Sequence, residues 1–272
     1  MTDQNTSEEG PVIKDTIEFE GIRNQERLIE KEIAAAYPLV GEELSVLALK
    51  DDYQPDDVIY QRKIDNLEAR YTSMRRTRPD GNCFYRAFSF AYFESLLNNK
   101  EELIRFKKFV CAGRDELIKL GFTQFTIDDF FDVFMDILNK IENGSISSSE
   151  KLLDTFCEQA ISDYIVVYFR LMTSGYLQQN GDTFINFIEG SQSVLDFCKQ
   201  EVEPMYKESD HIHVVALTSA SNVCTRIIYM DRGSSTDTVN AHDFPDQEPP
   251  LTPRIHLLYR PGHYDILYPK ST

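Results

Sequence analysis

Hydrophobic positions recur at helical spacing through the first three quarters of the chain and change to a strand-like period near its end. The stretch "EGIRNQERLIEKEIAAAY", Glu20 to Tyr37, places Ile22, Ile29, Ile33 and Ala36 on one face and covers the rest with Arg and Glu. That pattern predicts an amphipathic helix, ended by Pro38. The neighbouring sequence offers it little core, so it either docks on the main body or meets a partner. Two short helical stretches are predicted within 42–70, around "DDYQPDD". "RPDGNC" then leads into a helix from about Cys83 to Leu97. "KEELIRFKKFVCAGRDELIKLG" reads as the next helix, stopped by Gly121. "TIDDFFDVFMDILNKIENG" reads as another, with Thr126 as N-cap, Asp in its first turn and Gly144 at its end. After the loop "SISSSEK", the apolar run "LLDTFCEQAISDYIVVYFRLMTSGYL" predicts one long buried helix, and two shorter helices fill 181–202.

Beyond Ser209 the segments "HIHVVALTS", "TRIIYMD", "RIHLLYR" and "HYDILY" are short, β-branched, aromatic and bounded by turns, which predicts strands. "DRGSSTDTVNAHDFPDQEPPLTP" reads as a long polar loop between two of them. No internal repeat occurs. Helices first and strands last predict an α+β fold, its helical N-terminal part packed on a small, largely antiparallel C-terminal sheet. Three segments follow: an acidic tail over 1–19, expected to be disordered, an arm helix over 20–37, and a main domain over 38–272.

A hydrophobic fraction of 42% in 272 residues suits a sizeable core. The net charge of −17 argues against nucleic acid, because phosphate binding needs clustered Lys and Arg. It suits a basic protein partner, and it also serves solubility alone. Nowhere do 18 apolar residues run together, so no membrane span is expected. The polar, acidic stretch from Met1 to Gly10 does not resemble a signal peptide. The cysteines, Cys83, Cys111, Cys157, Cys198 and Cys224, are odd in number, widely spaced and free of any CxxC pair. Neither a disulfide scaffold nor a zinc–cysteine site is expected on that spacing, and a cytosolic or nuclear chain with reduced thiols is expected. No cofactor and no metal are expected. Cys111, Cys157, Cys198 and Cys224 are read as small hydrophobes.

Cys83 stands apart. It follows Asp80-Gly81-Asn82 and opens a helix, where free N–H groups and the helix dipole favour a thiolate. Arg75, Arg76, Arg78 and Arg86 add positive charge around it. Gly81 permits a tight turn, so that backbone N–H groups converge on an oxyanion, and Asp80 is placed to brace the loop by accepting backbone N–H bonds. Taken alone, "PDG" is an ordinary turn before a helix. The second half lies in "LLYRPGHYDILYP". There Pro261-Gly262 makes a turn, and His263 and Asp265, two apart on a strand, share one face with Tyr264 on the other. Asp265 is then positioned to hold one nitrogen of the His263 ring. A cysteine at a helix start and a distant His-x-Asp strand together follow Cys–His–Asp hydrolase logic. The other histidines offer less. His211 and His213 lack a third metal ligand, His256 has no acidic residue two positions on, and His242 lies in the loop. GxSxG, P-loop and HExxH patterns do not occur.

"RPDGNCFYRAF" and "LLYRPGHYDILY" resemble the two catalytic blocks of the otubains, deubiquitinases of the OTU superfamily of cysteine proteases. The resemblance continues through "GFTQFTIDDF", "SDYIVVYFRLMTSGYLQ", "FIEG", "EVEPMYKESDHIH" and "YMDRG" and covers residues 38 to 272, with the arm making it similar to the longer otubain. It implies an OTU-type cysteine protease fold with 38–272 as its catalytic domain. It implies Cys83 as nucleophile, His263 as general base, Asp265 as the carboxylate that orients the histidine, and Asp80 in the oxyanion-forming loop. It implies contacts to a distal ubiquitin at Val215, Tyr229, Asp231, Tyr259 and Tyr264, and cleavage of lysine-48-linked polyubiquitin at the isopeptide bond. The arm helix is implied to contact a second ubiquitin. Binding of ubiquitin-charged E2 enzymes, with non-catalytic inhibition of ubiquitin transfer, is implied too, with Phe125 and Thr126 at the E2 contact. An inhibitory binding module with weak or partner-dependent catalysis is the alternative. The first dozen residues and the loop "NAHDFPDQEPPLTP" depart from the family pattern.

Overall fold

The computed structural model describes residues 25, 28–190, 192–233 and 237–270. The expected tail over 1–19 and the start of the arm helix lie outside the described residues. The rest of the arm is helical as expected: α1 runs over 28–36 with mostly exposed side chains. Tyr37 closes it, its N–H donating to the Ile33 carbonyl at 2.9 Å, and Pro38 follows.

The first departure comes next. β1 (Val40–Ser45) leads through a 3₁₀ turn (Val46–Asp52) to α2 (Val58–Glu68), and β2 (Tyr71–Thr77) follows. Both strands belong to the sheet, so the sheet is not wholly C-terminal. β2 has no apolar alternation because two of its inward positions carry Arg75 and Ser73. Arg75 is satisfied by Tyr268 Oη (2.9 Å), the Gly41 carbonyl (3.1 Å) and Ser149 Oγ (3.0 Å), which lets a polar strand be buried.

The helices follow as α3 (Cys83–Leu96), α4 (Lys100–Lys119), α5 (Gln124–Glu142), α6 (Ser149–Phe156) and α7 (Gln159–Gln179). Thr123, not Thr126, is the N-cap residue of α5, and Thr126 sits inside the first turn. The single long helix predicted after the loop is two: α6 ends at Phe156 with Cys157 as its C-cap, and Glu158 is the N-cap of α7. Short helices α8 (Gly181–Phe184) and α9 (Val194–Phe197) fill the next stretch, as expected. "HIHVVALTS" is not a strand but the start of α10 (His211–Ser221). Asp210 decides this: its side chain accepts from the His213 N–H, and His213 Nδ1 accepts the Asp210 N–H at 3.0 Å, closing a capping box. Burial against α7 then overrides the β preference of its valines.

β3 (Thr225–Tyr229), β4 (Asn240–Phe244), β5 (Ile255–Arg260) and β6 (His263–Pro269) complete the sheet. β4 lies inside the stretch predicted as loop and pairs with β3 from Asn240–Tyr229 to Phe244–Thr225. The order is β1-β2-β6-β5-β3-β4, antiparallel throughout except for the parallel β3–β5 pair. One face, with Met74, Ile228, Leu258 and Leu267, is covered by Val46, Leu49, Ile64 and Leu67 of the turn and α2. The other, with Ile227, Leu257, Tyr264 and Ile266, is covered by α3. Every side chain of α3 from Cys83 to Phe93 is buried, as a helix enclosed by a sheet and other helices requires. Phe88 packs edge-on to Phe169 of α7 at 5.3 Å and Phe93 to Phe134 of α5 at 5.2 Å. Among the described residues no helix is long and apolar enough to cross a membrane.

Candidate active site

The helix that the aromatic core grips hardest begins with Cys83. Its approach is set by Gly81, whose φ of +75° lies in the left-handed region, and a Cβ there would stand 2.4 Å from the Tyr206 carbonyl oxygen. Asp80 braces this loop as predicted, accepting the Asn82 N–H at 3.0 Å and Arg86 Nη1 at 2.8 Å. The Asp80 N–H is spent on the Arg78 carbonyl at 3.0 Å. Among the described residues the N–H groups of Gly81 and Cys83 donate to nothing, which leaves them for a substrate oxygen.

The partners arrive on β6. His263 and Asp265 share one face, and His263 Nε2 lies 2.9 Å from Asp265 Oδ1. The opposite ring nitrogen, Nδ1, is buried and has no standard hydrogen-bond partner among the described residues. The Cys83 thiol lies near enough to raise the pKa of the imidazole. Burial pushes the His263 pKa down, but the bond to Asp265 and the influence of Cys83 outweigh it and hold the pKa at about 9. Imidazolium therefore persists at neutral pH.

Asp265 is fully buried yet ionised. Burial raises its pKa, and His263, Arg260 and the Thr77 N–H together bring it below the usual carboxylate range. The Thr77 N–H donates to Oδ1 at 3.0 Å, and Arg260 Nη2 donates to Oδ2 at 2.7 Å. Arg260 Nη1 reaches Asp52 at 2.9 Å, and Arg76 holds the same Asp52 at 3.0 Å. Alternating charges thus run from the 3₁₀ turn to the imidazole.

Sequence reasoning missed Arg260, Thr77 and Arg170. Arg260 faces His263 in the β5–β6 register, and "YRPGH" placed an arginine three residues before the histidine, a readable signal once the hairpin is drawn. Arg170 is a lone cation within the apolar run of α7, and so many apolar neighbours oblige it to find buried acceptors. It does so in the Asn82 side chain and the Gly81, Val202 and Lys207 carbonyls. Thr77 carried no signal.

The remaining candidates sit elsewhere. Val215 on α10 and Tyr229 and Tyr259 on neighbouring strands are half-buried at the margin of the core. Tyr264 lies beneath them, 5.0 Å from the Tyr259 ring and 5.1 Å from Phe84, its phenol pushed far up by burial. Asp231, just past β3, is half-buried and accepts the Gly233 N–H at 2.8 Å. Phe125, 75% exposed, and the exposed Thr126 open α5. His256 pairs with Tyr71 Oη at 3.0 Å, and burial lowers its pKa to about 4. Its role and the cap made by His213 are structural. Among the described residues no cluster of three or more ligating side chains could hold a metal. Cys198 and Cys224 are buried small hydrophobes as expected, Cys198 pushed up to about 11 by burial. Cys111 and Cys157 are exposed, against expectation, although the Cys157 thiol still donates to the Val40 carbonyl at 3.5 Å.

A thiol, an imidazolium and a buried carboxylate in that order are the working parts of a cysteine peptidase, and the two spare N–H groups complete it for acyl transfer. The chain belongs to the peptidase C65 otubain family, whose model matches residues 32–269. It is 50% identical over 249 residues to the ubiquitin thioesterase OTUB1 of Homo sapiens, covering 92% of this chain and 90% of that one. It is 38% identical over 234 residues to the human ubiquitin thioesterase OTUB2, covering 86% and 96%. A solved structure of h/ceOTUB1 with ubiquitin aldehyde and UBC13~Ub superposes with a TM-score of 0.88 at 35% identity, covering 93% of this chain and 98% of that one. The fold is the OTU-type cysteine protease fold, with a mixed sheet of six strands.

Proposed function

We propose that this otubain is a thiol-dependent deubiquitinase that hydrolyses the isopeptide bond of lysine-48-linked polyubiquitin. The observation that carries the reading is the set Cys83, His263 and Asp265, with His263 held near a pKa of 9 by Asp265. Similarity to ubiquitin thioesterases supplies the substrate class. The Cys83 thiolate attacks the carbonyl carbon of ubiquitin's terminal glycine, and the carbonyl electrons move onto oxygen. The Gly81 and Cys83 N–H groups receive that oxyanion. His263 passes its proton to the leaving lysine amine as the C–N bond breaks, then takes one from water, whose oxygen attacks the thioester and frees the ubiquitin carboxylate. Val215, Tyr229, Asp231 and Tyr259 receive the distal ubiquitin, with Tyr264 supporting Tyr259 from below. The acidic surface raises the on-rate of ubiquitin's basic tail.

A cleft of about 700 Å³ between α1 and the nucleophile loop, lined by Ile29, Ile33, Arg78, Met205 and Tyr206, supports binding of a second ubiquitin by the arm. Binding of ubiquitin-charged E2 enzymes, and inhibition of ubiquitin transfer without catalysis, is the second reading. The exposed Phe125 on α5, and the charged E2 present in the OTUB1 complex, favour it. Free thiols fit a cytosolic or nuclear setting for both.

The test is a gel assay of all eight di-ubiquitin linkages with the wild-type chain and Cys83→Ser. Loss of the lysine-48-linked dimer alone, absent in the variant, is expected. Cleavage surviving in Cys83→Ser overturns the mechanism, and no cleavage by wild type transfers the weight to E2 inhibition.

A further inference from the structure

Arg170 is fully buried, yet among the described residues it has no carboxylate within ion-pairing distance. Its donors go to neutral oxygens. Nη1 donates to the Val202 carbonyl at 3.0 Å; Nη2 reaches the Gly81 carbonyl at 3.0 Å, Asn82 Oδ1 at 2.9 Å and the Lys207 carbonyl at 2.7 Å. Its guanidinium carbon stands 4.6 Å from the centre of the Tyr85 ring. A buried cation without a counter-ion is costly, and structural arginines are normally paired. Arg86, equally buried and one turn along α3, shows the ordinary arrangement: it is paired with Asp80 at 2.8 Å. No carboxylate bonds to Arg170, Asp80 acts on it only at longer range, and its donors converge beneath the two residues that precede the nucleophile.

The contacts have a direction. By taking the Gly81 carbonyl and the Asn82 side chain, Arg170 fixes both ends of the peptide that joins them. Asn82 Oδ1 also accepts the Tyr206 N–H at 3.0 Å, so the loop is stapled to the segment whose carbonyl leaves room only for glycine at position 81. The loop's orientation, and with it the aim of the Gly81 and Cys83 N–H groups, is set from below.

We propose that Arg170 is the positioning residue of the oxyanion site: its fork holds the Gly81–Asn82 peptide so that the N–H groups of Gly81 and Cys83 face the scissile carbonyl, and its unpaired charge stabilises the negative charge that develops there. This inference rests on the deubiquitinase reading. It assigns Arg170 to the transition state and not to ubiquitin recognition.

The experiment compares Arg170→Gln, Arg170→Lys and Asn82→Asp in the full chain. Asn82→Asp keeps acceptors for Arg170 and Tyr206 but supplies the missing counter-charge, and the Nδ2 it removes has no partner among the described residues. Three quantities are measured: kcat and KM on lysine-48-linked di-ubiquitin, affinity for ubiquitin, and affinity for ubiquitin aldehyde, whose adduct with Cys83 places an oxygen in the oxyanion site. Removing a direct oxyanion donor costs on the order of 100- to 1000-fold in kcat, so a group one bond further back costs roughly 10- to 100-fold. That loss is expected for Arg170→Gln and Asn82→Asp, with KM within about threefold. Aldehyde affinity is expected to fall in parallel while ubiquitin affinity holds, and Arg170→Lys is expected between these variants and wild type. Equal loss of aldehyde and ubiquitin affinity makes Arg170 merely structural and overturns the proposal, as does wild-type kcat in Asn82→Asp. If Arg170→Gln does not fold, Asn82→Asp decides alone. A wild-type chain that cleaves no di-ubiquitin overturns the deubiquitinase reading, whereas an active wild type with unaltered variants overturns this inference only.

Discussion

Arg260 and His263 face one another across the β5–β6 hairpin and grip opposite oxygens of one carboxylate, Asp265, at 2.7 and 2.9 Å. The carboxylate therefore has no rotational freedom: turning it toward one partner breaks the other. An ion that shares its charge between two cations is buried without losing ionisation, and the imidazole inherits a fixed orientation.

Replacing Asp265 by Asn keeps the shape and removes the charge. Activity is expected to fall on the order of 1000-fold, because the ring loses both tautomer control and the charge that holds its proton. The alkaline limb of the rate profile moves to lower pH, toward the 6.5 of a free histidine. Half-buried Arg260 keeps Asp52 and Tyr53 but loses the buried counter-charge, so stability drops by about 3 kcal/mol. Stopped di-ubiquitin assays across pH and urea unfolding check the two effects.

The pH dependence of the wild type has a definite sign. His263 is raised from 6.5 to about 9 in the folded chain. Its contribution to stability is therefore complete below 6.5 and disappears as pH rises through about 9. Activity that needs the imidazolium declines over the same upper range. A kcat/KM profile with its alkaline midpoint near 7 contradicts this.

Gly81→Ala meets two obstacles, a φ of +75° and a carbonyl oxygen 2.4 Å from the new Cβ. The left-handed backbone alone costs about 1 kcal/mol, and the clash forces the nucleophile loop to shift. Cleavage is expected to fall at least roughly tenfold, in line with misaligned oxyanion donors. Gly144→Ala shares the positive φ, at +79°, but meets nothing within 4 Å. It is expected to lose about 1 kcal/mol and no activity, as paired melting and cleavage assays show.

Phe125→Ala removes an apolar side chain that is 75% exposed. Stability is expected to stay within about 0.5 kcal/mol, and di-ubiquitin cleavage to be unchanged. Binding of a ubiquitin-charged E2, measured by pull-down, is expected to weaken markedly. Unchanged E2 binding removes α5 from that interface.

The nucleophile was legible because a glycine turn, a helix start and a cysteine occur together locally, and the His-x-Asp pair because strand alternation is a local rule. α3 was legible from its density of apolar residues. β2 was not, since its inward Arg75 is satisfied by Tyr268, a residue nearly two hundred positions away in the chain. α10 was misread because a capping box at Asp210 outweighed a run of β-branched residues. Arg260 and Arg170 act through partners that only the folded chain brings near, so residue pattern alone did not single them out.

β6 lies inside the sheet, with β2 on one edge and β5 on the other. Ile266 and Leu267 at its centre have neighbours on both sides, and α3 closes over one of its faces. Hydrogen exchange at Ile266 and Leu267 therefore requires opening of the whole domain, whereas α1, exposed on most of its surface, exchanges by local fraying. The catalytic strand and the arm occupy opposite ends of one protection scale, so the arm can fray and re-form while the imidazole never leaves its register.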